Sequence, residues 1–342
     1  MRVGVLTGGG DAPGLNAAIK AIVNRAYDHG FEVVGIKRGW AGLLEKESEP
    51  LDIHKVEELS AEGGIMLYTS RTNPAKMPDG VQKCLTNMKQ LNLDALIAIG
   101  GDDTLGVAEK LFEAGARVVG VPKTIDNDLS VTDYSIGFQT AVSIATEAID
   151  KLRTTARAHQ RVFVVEVMGR YTGWIALYAG LAAGAHLVLI PEVPFDLKDV
   201  YALVKKRKAA GKVFSIIVVA EGAKPKEEEG LVFKKAEKDQ FGHALLGGVG
   251  PMLEELIEKE TGLETRSVVL GHLQRGGPPV AFDRFLASSL GIEAVELVKK
   301  QKWGYIPVLK GTEIVPVQLK EVVAKRKQVP PELYEMAKTF FK

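Results

Sequence analysis

Short apolar runs alternate with helical periodicity along the chain. The runs that predict strands are near-continuous in Val, Ile, Leu and Ala, as expected of parallel strands covered on both faces. They occupy residues 3–6, 33–36, 95–99, 118–121, 162–167, 187–190, 213–220 and 268–270. Between them, apolar residues recur at helical spacing, for example from Leu15 to Ala26 and from Leu105 to Phe112. This pattern predicts an α/β fold with parallel sheets, in which ligands bind at the carboxyl ends of strands.

Length and composition fit a globular chain of two domains. The 342 residues suffice for two cores of ordinary size, and 46% apolar with 25% charged residues is typical of soluble proteins. A formal net charge of +1 creates no overall field that favours a nucleic acid or a membrane as partner. The basic run "KKRK" at 205–208 is expected on the solvated face of a helix over 197–210. No Pro-, Gly- or Ser-rich linker divides the chain, so two domains sharing a cleft are expected.

Cysteine usage and the first residues indicate a cytoplasmic protein. Cys84 is the only cysteine, which excludes an intrachain disulfide. Glycines follow the first apolar residues too soon for a signal peptide, and no apolar stretch reaches about 18 residues without a charge. A membrane-spanning segment is therefore not expected.

A glycine-rich segment, "TGGGDAPGLNAA" at 7–18, follows the first predicted strand. Gly8, Gly9 and Gly10 leave room for an anion near backbone N–H groups. Asp11 suits the N-cap of the next helix, and Pro13 suits its first turn. A helix N-terminus facing a phosphate is favourable, whereas the alternative is an ordinary tight turn. The GxxxxGK[ST] pattern of a P-loop nucleotide site does not occur.

Two acidic segments also follow predicted strands: "GGDDT" at 100–104 and "PKTIDND" at 122–128. Asp126 and Asp128 are two positions apart, so both can point the same way in an extended segment. With Asp102 they supply three carboxylates at neighbouring strand ends. Mg²⁺ binds one or two such carboxylates together with phosphate oxygens, and a further carboxylate can accept the proton of an attacking hydroxyl. Each aspartate alone could instead be a cap or turn residue.

Five ordered segments resemble the motifs of the phosphofructokinase family: "TGGGDAPGLNAA", "GGDDT", "PKTIDND", "VVEVMGRYTGW" and "ETRSVVLGHLQRGG". The resemblance implies phosphoryl transfer to O1 of fructose 6-phosphate, giving fructose 1,6-bisphosphate. It also implies two similar Rossmann-like, three-layer α/β domains with mostly parallel sheets and the site in their cleft. The donor is expected in a domain of residues 1–137 and about 274–323, and the sugar phosphate in one of 138–273 and about 324–342.

The family's catalytic and donor-binding roles carry over onto the glycine-rich and acidic segments. Asp126 resembles the general base that removes the 1-hydroxyl proton. Thr124 resembles the residue that holds this part of the sugar and the transferred phosphoryl group. Asp102 resembles the Mg²⁺ residue, with Asp128 as its acidic neighbour in a lesser role. The residues expected to bind the donor are Gly8, Gly9, Asp103, Thr104 and Lys123.

The remaining roles concern charge neutralisation and the sugar. Arg71 and Arg170 resemble the cations that neutralise charge on the transferred group. Met168, Gly169 and Glu221 are expected to contact the sugar. The 6-phosphate pocket is expected to consist of Arg161, Arg266, His272 and Arg275. The family supplies the arginines matching positions 161 and 266 from a neighbouring subunit, which implies a homodimer or homotetramer.

Two positions depart from the ATP-dependent members of the family. Those members have a small residue, usually glycine, at the position of Asp103. They have glycine at the position of Lys123. An Asp103 carboxylate ~4 Å from a third phosphate would repel it. The repulsion is at most about 4 kcal/mol at an effective dielectric of ~20. Lys123 can offset Asp103 and donate to the non-transferred phosphate of a short donor. The pair resembles pyrophosphate-dependent members; the alternative is a local Asp103–Lys123 ion pair with ATP in a shifted pose.

An effector site of the bacterial allosteric members is only partly matched. Lys20 and Arg153 fit its cations. Asn24, His186, Val213 and Phe214 stand where arginine, glutamate, lysine and histidine are expected. Regulation by ADP or phosphoenolpyruvate is therefore not expected, and the long segment 224–241 has no assigned role.

Three other functions share part of this sequence pattern. The first is the same chemistry with ATP. The second is a NAD or lipid kinase, whose "GGDGT" loop resembles 100–104 but which does not explain "GHLQRGG" or "MGRYTGW". The third is a non-catalytic regulatory subunit, which loss of Asp102 or Asp126 would have favoured; both are present.

Overall fold

The computed structural model describes residues 1–226 and 248–342. These residues divide into two compact units. The first comprises Met1–Thr140 and Arg275–Lys327, and the second comprises Ala141–Gln274 and Gln328–Lys342. Most of the segment 224–241 lies outside the described residues. The assignment of the first unit to the phosphoryl donor and of the second to the sugar phosphate stays a prediction.

Strands and helices alternate through most of the chain, which confirms the predicted α/β class. The strands are β1 (Arg2–Thr7), β2 (Glu32–Ile36), β3 (Ser48–Leu51), β4 (Ala95–Gly100), β5 (Val118–Pro122), β6 (Val162–Val167), β7 (Leu187–Leu189), β8 (Ser215–Ala220), β9 (Thr265–Val269), β10 (Tyr305–Lys310) and β11 (Glu313–Gln318). The helices are α1 (Leu15–Asp28), α2 (Trp40–Glu45), α3 (Gly80–Gln90), α4 (Asp102–Glu113), α5 (Phe138–His159), α6 (Trp174–Ala182), α7 (Leu197–Ala209), α8 (Val249–Thr261), α9 (Ala281–Lys299), α10 (Leu319–Val323) and α11 (Pro331–Lys338). Within the two described stretches, no helix is long and apolar enough to cross a membrane.

The first unit contains a seven-stranded sheet in the order β11-β10-β5-β4-β1-β2-β3. Its inner strands are parallel, whereas β3 and β11 pair antiparallel at the two edges. Every residue of β4, the run ALIAIG, is buried, as its continuous apolar sequence predicts. Because β5, β4 and β1 are neighbours, the two acidic segments and the first glycine loop emerge side by side at one edge of the sheet.

The second unit contains a four-stranded, all-parallel sheet in the order β7-β8-β6-β9. Its core includes Val164, Ile217, Val219 and Leu253. The carboxyl ends of β8, β6 and β9 are adjacent, so the segments that follow these strands form one edge. These segments carry most of the residues predicted to bind the sugar.

Two local predictions are wrong. Helix α1 begins at Leu15, and its N-cap is Gly14 at φ +104°, not Asp11. This left-handed conformation favours glycine, and a Cβ there would also crowd a neighbouring isoleucine. The basic run on α7 is not wholly solvated, because Arg207 is buried and donates through Nε to Ser215 Oγ at 3.0 Å.

Candidate active site

The first glycine loop is enclosed by two side chains of the first unit. A Cβ on Gly8 would lie 2.5 Å from Thr104 Oγ1, and one on Gly10 would lie 2.6 Å from Arg275 Nη1. Arg275 Nη1 also donates to the Asp11 carbonyl oxygen at 2.9 Å. A side chain at position 8 would therefore collide with the buried Thr104, whereas one at position 10 would displace the end of the Arg275 side chain. Arg275 lies beside the loop predicted to bind the donor, and its expected contact with the 6-phosphate stays a prediction.

Lys123 places an ammonium group under this loop. Its Nζ donates to the carbonyl oxygens of Gly8 at 2.9 Å and Gly10 at 2.5 Å, and only 3% of the residue is exposed. Burial, followed by the positive charge of Arg275, lowers the pKa of Lys123 to about 7. Three carboxylates act in the opposite direction on this pKa: Asp11, Asp102 and Asp126. The lysine is thus poised to change charge near neutral pH.

The second glycine loop leads directly into α4. Asp102 and Asp103 occupy the first turn of this helix, where the helix dipole favours negative charge. The Asp103 N–H donates to Asp102 Oδ1 at 2.8 Å. A Cβ on Gly100 would lie 2.3 Å from Thr104 Cβ, so the loop is packed tightly against the buried threonine. The Asp102 side chain remains 46% exposed and is accessible to a ligand.

The "TIDND" segment forms a turn rather than the extended segment expected. Asn127 adopts φ 51° and is buried. Its Oδ1 accepts from the Ser135 N–H at 3.1 Å, and its Nδ2 donates to the Asp133 carbonyl oxygen at 3.2 Å. The Asp126 N–H donates to Thr124 Oγ1 at 3.1 Å. Asn127 therefore fixes the turn that carries the predicted base, a role that its polar type between two aspartates only weakly signals.

The three predicted carboxylates are close enough to influence one another. Burial, and then the charges of Asp126 and Asp102, raise the pKa of Asp128 to about 7. Arg326 contacts two of the three, with Nη2 2.8 Å from Asp102 Oδ2 and Nε 3.1 Å from Asp128 Oδ2. Sequence reasoning missed Arg326, because nothing in its local sequence points to the acidic loops.

The carboxylates of the first unit suit Mg²⁺ without forming a closed metal site. Among the described residues, no group of three or more His, Cys, Asp or Glu side chains is arranged to hold a metal ion. Mg²⁺ rarely needs such a cage, since it usually takes one or two carboxylates and completes its shell with phosphate oxygens and water. The accessible carboxylate of Asp102 fits that requirement.

The segment before Arg71 is tied to the first glycine loop. Thr69 Oγ1 donates to the Gly9 carbonyl oxygen at 2.6 Å, and the Gly9 N–H donates to the Ser70 carbonyl oxygen at 3.4 Å. Gly9 has φ +79°, which favours glycine. Arg71 itself is exposed. The predicted cation is therefore attached through the chain to the loop where the transferred group is expected.

In the second unit, residues predicted to contact the sugar follow adjacent strands. Met168 is buried directly after β6, and Gly169 has φ +136°. The Glu221 N–H, after β8, donates to the Val167 carbonyl oxygen at 2.8 Å. His272 is exposed in a short 3₁₀ helix that follows β9. The structure thus brings these predicted residues to one edge of the sheet.

Gln274 links two of these segments and was missed by sequence reasoning. It is fully buried, its Oε1 accepts from the Met168 N–H at 3.3 Å, and its Nε2 donates to the Gly271 carbonyl oxygen at 3.1 Å. The amide therefore sets the distance between the methionine and the turn that bears His272. The presence of a glutamine inside the predicted motif "GHLQRGG" is the signal that could have revealed it.

Arg161 and Arg266 lie at the opposite end of the same sheet. Both bind the Glu264 carboxylate, at 2.7 Å and 2.6 Å, and together they lower its pKa. Arg161 precedes β6, whereas Met168 follows it, so about 23 Å of strand separates them at ~3.3 Å per residue. Within one chain, these two arginines therefore do not join the other predicted sugar-binding residues.

The region matched to the effector site contains an aromatic contact between His186 and Phe214. His186 Nδ1 accepts from the Ile216 N–H at 2.8 Å, and its ring lies edge-on to Phe214 at 5.5 Å between centroids. Burial, and then the charges of Arg207 and Arg153, lower the pKa of His186 to about 4. The imidazole is therefore neutral at physiological pH, whereas the bacterial allosteric members are expected to have a carboxylate at this position.

Glycine loops and carboxylates at the ends of neighbouring parallel strands are typical of α/β enzymes that transfer phosphoryl groups. The profile of the family described as Phosphofructokinase matches residues 2–298. The chain is 56% identical to a pyrophosphate–fructose 6-phosphate 1-phosphotransferase of Amycolatopsis methanolica, over 100% of both chains. It is 50% identical to ATP-dependent 6-phosphofructokinase 3 of Streptomyces coelicolor, over 98% of this chain and 99% of that protein.

The fold agrees with these sequence comparisons. The chain superposes on Pichia pastoris phosphofructokinase in the T-state with a TM-score of 0.84 and 31% identity, covering 94% of this chain and 35% of the yeast chain. The chain belongs to the phosphofructokinase family, as its ordered motifs predicted.

Proposed function

We propose that this chain is a Mg²⁺-dependent enzyme that transfers a phosphoryl group from pyrophosphate to O1 of fructose 6-phosphate. The products are fructose 1,6-bisphosphate and phosphate, and the reaction is reversible. The observation that carries the choice of donor is the Lys123 ammonium group held at the first glycine loop, together with Asp103 at the start of α4. The similarity to the Amycolatopsis methanolica enzyme supports the same choice.

The first unit binds the donor in this proposal. Backbone N–H groups of the glycine loops and the Lys123 ammonium face its phosphates, and Asp102 holds the metal. When bound, Mg²⁺ neutralises charge on the donor's phosphate oxygens. Thr104 shapes the loop through its contacts with Gly8, so its contribution is packing as well as polarity.

The transfer itself is direct and in line. Asp126 takes the proton of the 1-hydroxyl group, O1 forms a bond to the transferred phosphorus, and the bridging P–O bond breaks to release phosphate. Thr124 accepts the hydrogen bond that orients the Asp126 backbone. Arg71 and Arg170 neutralise the charge that develops on the equatorial oxygens.

The second unit binds the sugar phosphate in this proposal. Met168, Gly169 and Glu221 contact the sugar ring and its hydroxyl groups. His272 and Arg275 bind the 6-phosphate. The Arg161–Arg266 pair completes that pocket from a neighbouring subunit, because within its own chain it lies at the far end of the sheet from Met168. The active form in this proposal is a homodimer or a homotetramer.

ATP as the donor is the alternative that the Streptomyces coelicolor relative keeps open. Two residues argue against ATP. The charge of Asp103 would face the α-phosphate of a nucleotide. The side chain of Lys123 occupies space at a position where ATP-dependent members have glycine. A non-catalytic role is disfavoured, since the chain retains Asp102 and Asp126. We further propose that the enzyme is non-allosteric and cytoplasmic, as its charged substrates do not cross a bilayer unaided.

The test uses the purified chain with fructose 6-phosphate and Mg²⁺, and either pyrophosphate or ATP as donor. We expect fructose 1,6-bisphosphate and phosphate in equal amounts with pyrophosphate, and the reverse reaction when phosphate is supplied to the product. Asp126→Asn serves as the matched control for contaminating activity. Turnover with ATP alone would contradict the proposed donor, and no turnover with either donor would contradict the proposed reaction.

A further inference from the structure

Arg326 joins the two acidic segments of the first unit. Its Nη2 lies 2.8 Å from Asp102 Oδ2 and its Nε lies 3.1 Å from Asp128 Oδ2. One guanidinium group thus bridges the start of α4 and the turn that carries the predicted base. Hydrogen bonds between charged partners are shorter and stronger than neutral ones, and the planar fork fixes their direction.

The backbone holds Arg326 in this position. Arg326 forms an antiparallel bridge with Leu129, and the Lys327 N–H donates to the Asp128 carbonyl oxygen at 2.7 Å. Ser130 Oγ donates to the carbonyl oxygen of Glu321, the third residue of α10, at 2.8 Å. Hydrogen bonds therefore connect the chain from α10 to Lys327 with the second acidic segment and the residues that follow it. A long side chain that would otherwise sample many rotamers starts from a fixed backbone.

The predicted donor-binding region of the first unit, here called the donor half, carries enough negative charge to explain why such a cation is needed. Four carboxylates lie on the two acidic segments: Asp102, Asp103, Asp126 and Asp128. Pyrophosphate is itself a polyanion, so like-charge repulsion opposes its entry. Lys123 provides one compensating charge at the first glycine loop. Arg326 provides another, placed directly on the carboxylates.

The contact with Arg326 leaves Asp102 able to bind a metal. Asp102 Oδ1 accepts from the Asp103 N–H and Oδ2 accepts from Arg326. An ionised carboxylate offers about four lone-pair sites, so both contacts can persist while a further ligand is bound. Arg326 thus restricts the direction of the carboxylate without consuming its capacity.

We propose that Arg326 is a positioning residue of the donor half: it holds Asp102 and Asp128 side by side and supplies positive charge beside them that favours the binding of pyrophosphate. The inference rests on the proposed function and deepens it, since it concerns donor binding and not the sugar. Arg326 acts through the two aspartates and takes no proton.

The test compares Arg326→Gln, Arg326→Lys and the control Lys325→Gln, which removes the same charge from the exposed preceding residue. We expect Arg326→Gln to raise KM for pyrophosphate at least about fivefold and to leave KM for fructose 6-phosphate within about twofold, because only charge-assisted contacts in the donor half are lost. Arg326→Lys keeps the charge without the fork and should fall between Arg326→Gln and the wild type. Lys325→Gln should match the wild type.

A second readout avoids turnover altogether. Calorimetric titration of imidodiphosphate, an unreactive pyrophosphate analogue, in the presence of Mg²⁺ and without sugar should show weaker binding to Arg326→Gln by the same factor. Unchanged affinity and unchanged KM for pyrophosphate would overturn the inference. An equal loss for both substrates, with lowered thermal stability, would also overturn it by showing a merely structural role. Failure of the wild type to use pyrophosphate would instead contradict the proposed function.

Discussion

The Nζ atom of Lys123 lies 2.9 Å from the carbonyl oxygen of Gly8. This contact places a titratable cation inside the loop predicted to bind phosphate. Because burial lowers the pKa of Lys123 to about 7, the charge available to a donor phosphate depends on pH in the physiological range. The lysine is charged below this pKa and neutral above it.

We therefore predict that KM for pyrophosphate in the wild type rises as the pH increases through about 7. Lys123→Met should lack this component, and the ratio of the two KM values at each pH cancels the titration of the substrate. The free energy of unfolding gives an independent check. It should rise with pH above about 7 relative to Lys123→Met, since the lysine of the unfolded chain, with its ordinary pKa of 10.5, binds more protons there. Parallel pH profiles for the two proteins would contradict the assignment.

Asp126→Asn tests the proposed general base. The substitution keeps the size of the side chain and removes its ability to accept a proton, so kcat should fall by about 10²–10⁴, the usual contribution of a positioned base. Binding of fructose 6-phosphate, measured by calorimetry, should change little. A variant that retains more than about a tenth of wild-type kcat would be incompatible with this role.

Arg266 is expected to serve the site of a neighbouring subunit, because it lies at the amino end of β9 with Arg161 and Glu264. Arg266→Ala and Asp126→Asn should each be nearly inactive alone. Mixed oligomers refolded from both proteins should regain activity, since one site then combines an intact Asp126 with an intact Arg266. Light scattering should show at least a dimer. A monomer, or mixing without any recovery, would show that the arginine acts within its own chain.

ADP and phosphoenolpyruvate should change the rate little. The neutral His186 and the Phe214 ring occupy positions where glutamate and histidine are expected in the allosteric members. Initial rates against fructose 6-phosphate should be hyperbolic with and without either compound. Sigmoidal kinetics relieved by ADP would contradict this prediction.

The apolar runs predicted the parallel strands closely, and for β6 the predicted and observed bounds are identical. The two antiparallel edge strands, β3 and β11, were missed, and so was β10, which pairs with β11 on one side and parallel to β5 on the other. Pro307 and Pro316 face each other in the β10–β11 hairpin, and β3 is the mainly polar stretch SEPL. Proline lowers the strand signal because it cannot donate to the ladder, and such strands form here at a sheet edge or beside one, where tertiary pairing decides.

The candidate site was predictable where motifs follow strands, since topology places those ends together. The supporting residues were not. Arg326 is 224 positions from Asp102, and Gln274 is 106 positions from Met168, so their pairing depends on how distant segments pack. Asn127 lay inside a predicted motif, yet its turn is set by hydrogen bonds to Asp133 and Ser135 that local spacing does not specify.

Donor choice is the central claim, and it concerns Asp103 and Lys123. Replacing both by glycine should move preference toward ATP, because it opens space for the α-phosphate and removes a like charge. Asp103→Gly alone should admit ATP weakly, since repulsion is the larger effect. Lys123→Gly alone should mainly weaken use of pyrophosphate. The two changes share one site, so their effects should not add simply.

The most direct measurement is the ratio of kcat/KM for ATP to kcat/KM for pyrophosphate in the wild type, the two single variants and the double variant. Circular dichroism and KM for fructose 6-phosphate serve as controls for folding and for the sugar site. We predict a ratio well below one in the wild type, an increase in each single variant and the largest ratio in the double variant. A ratio that stays flat across the four proteins, or a wild type that prefers ATP, would contradict the account.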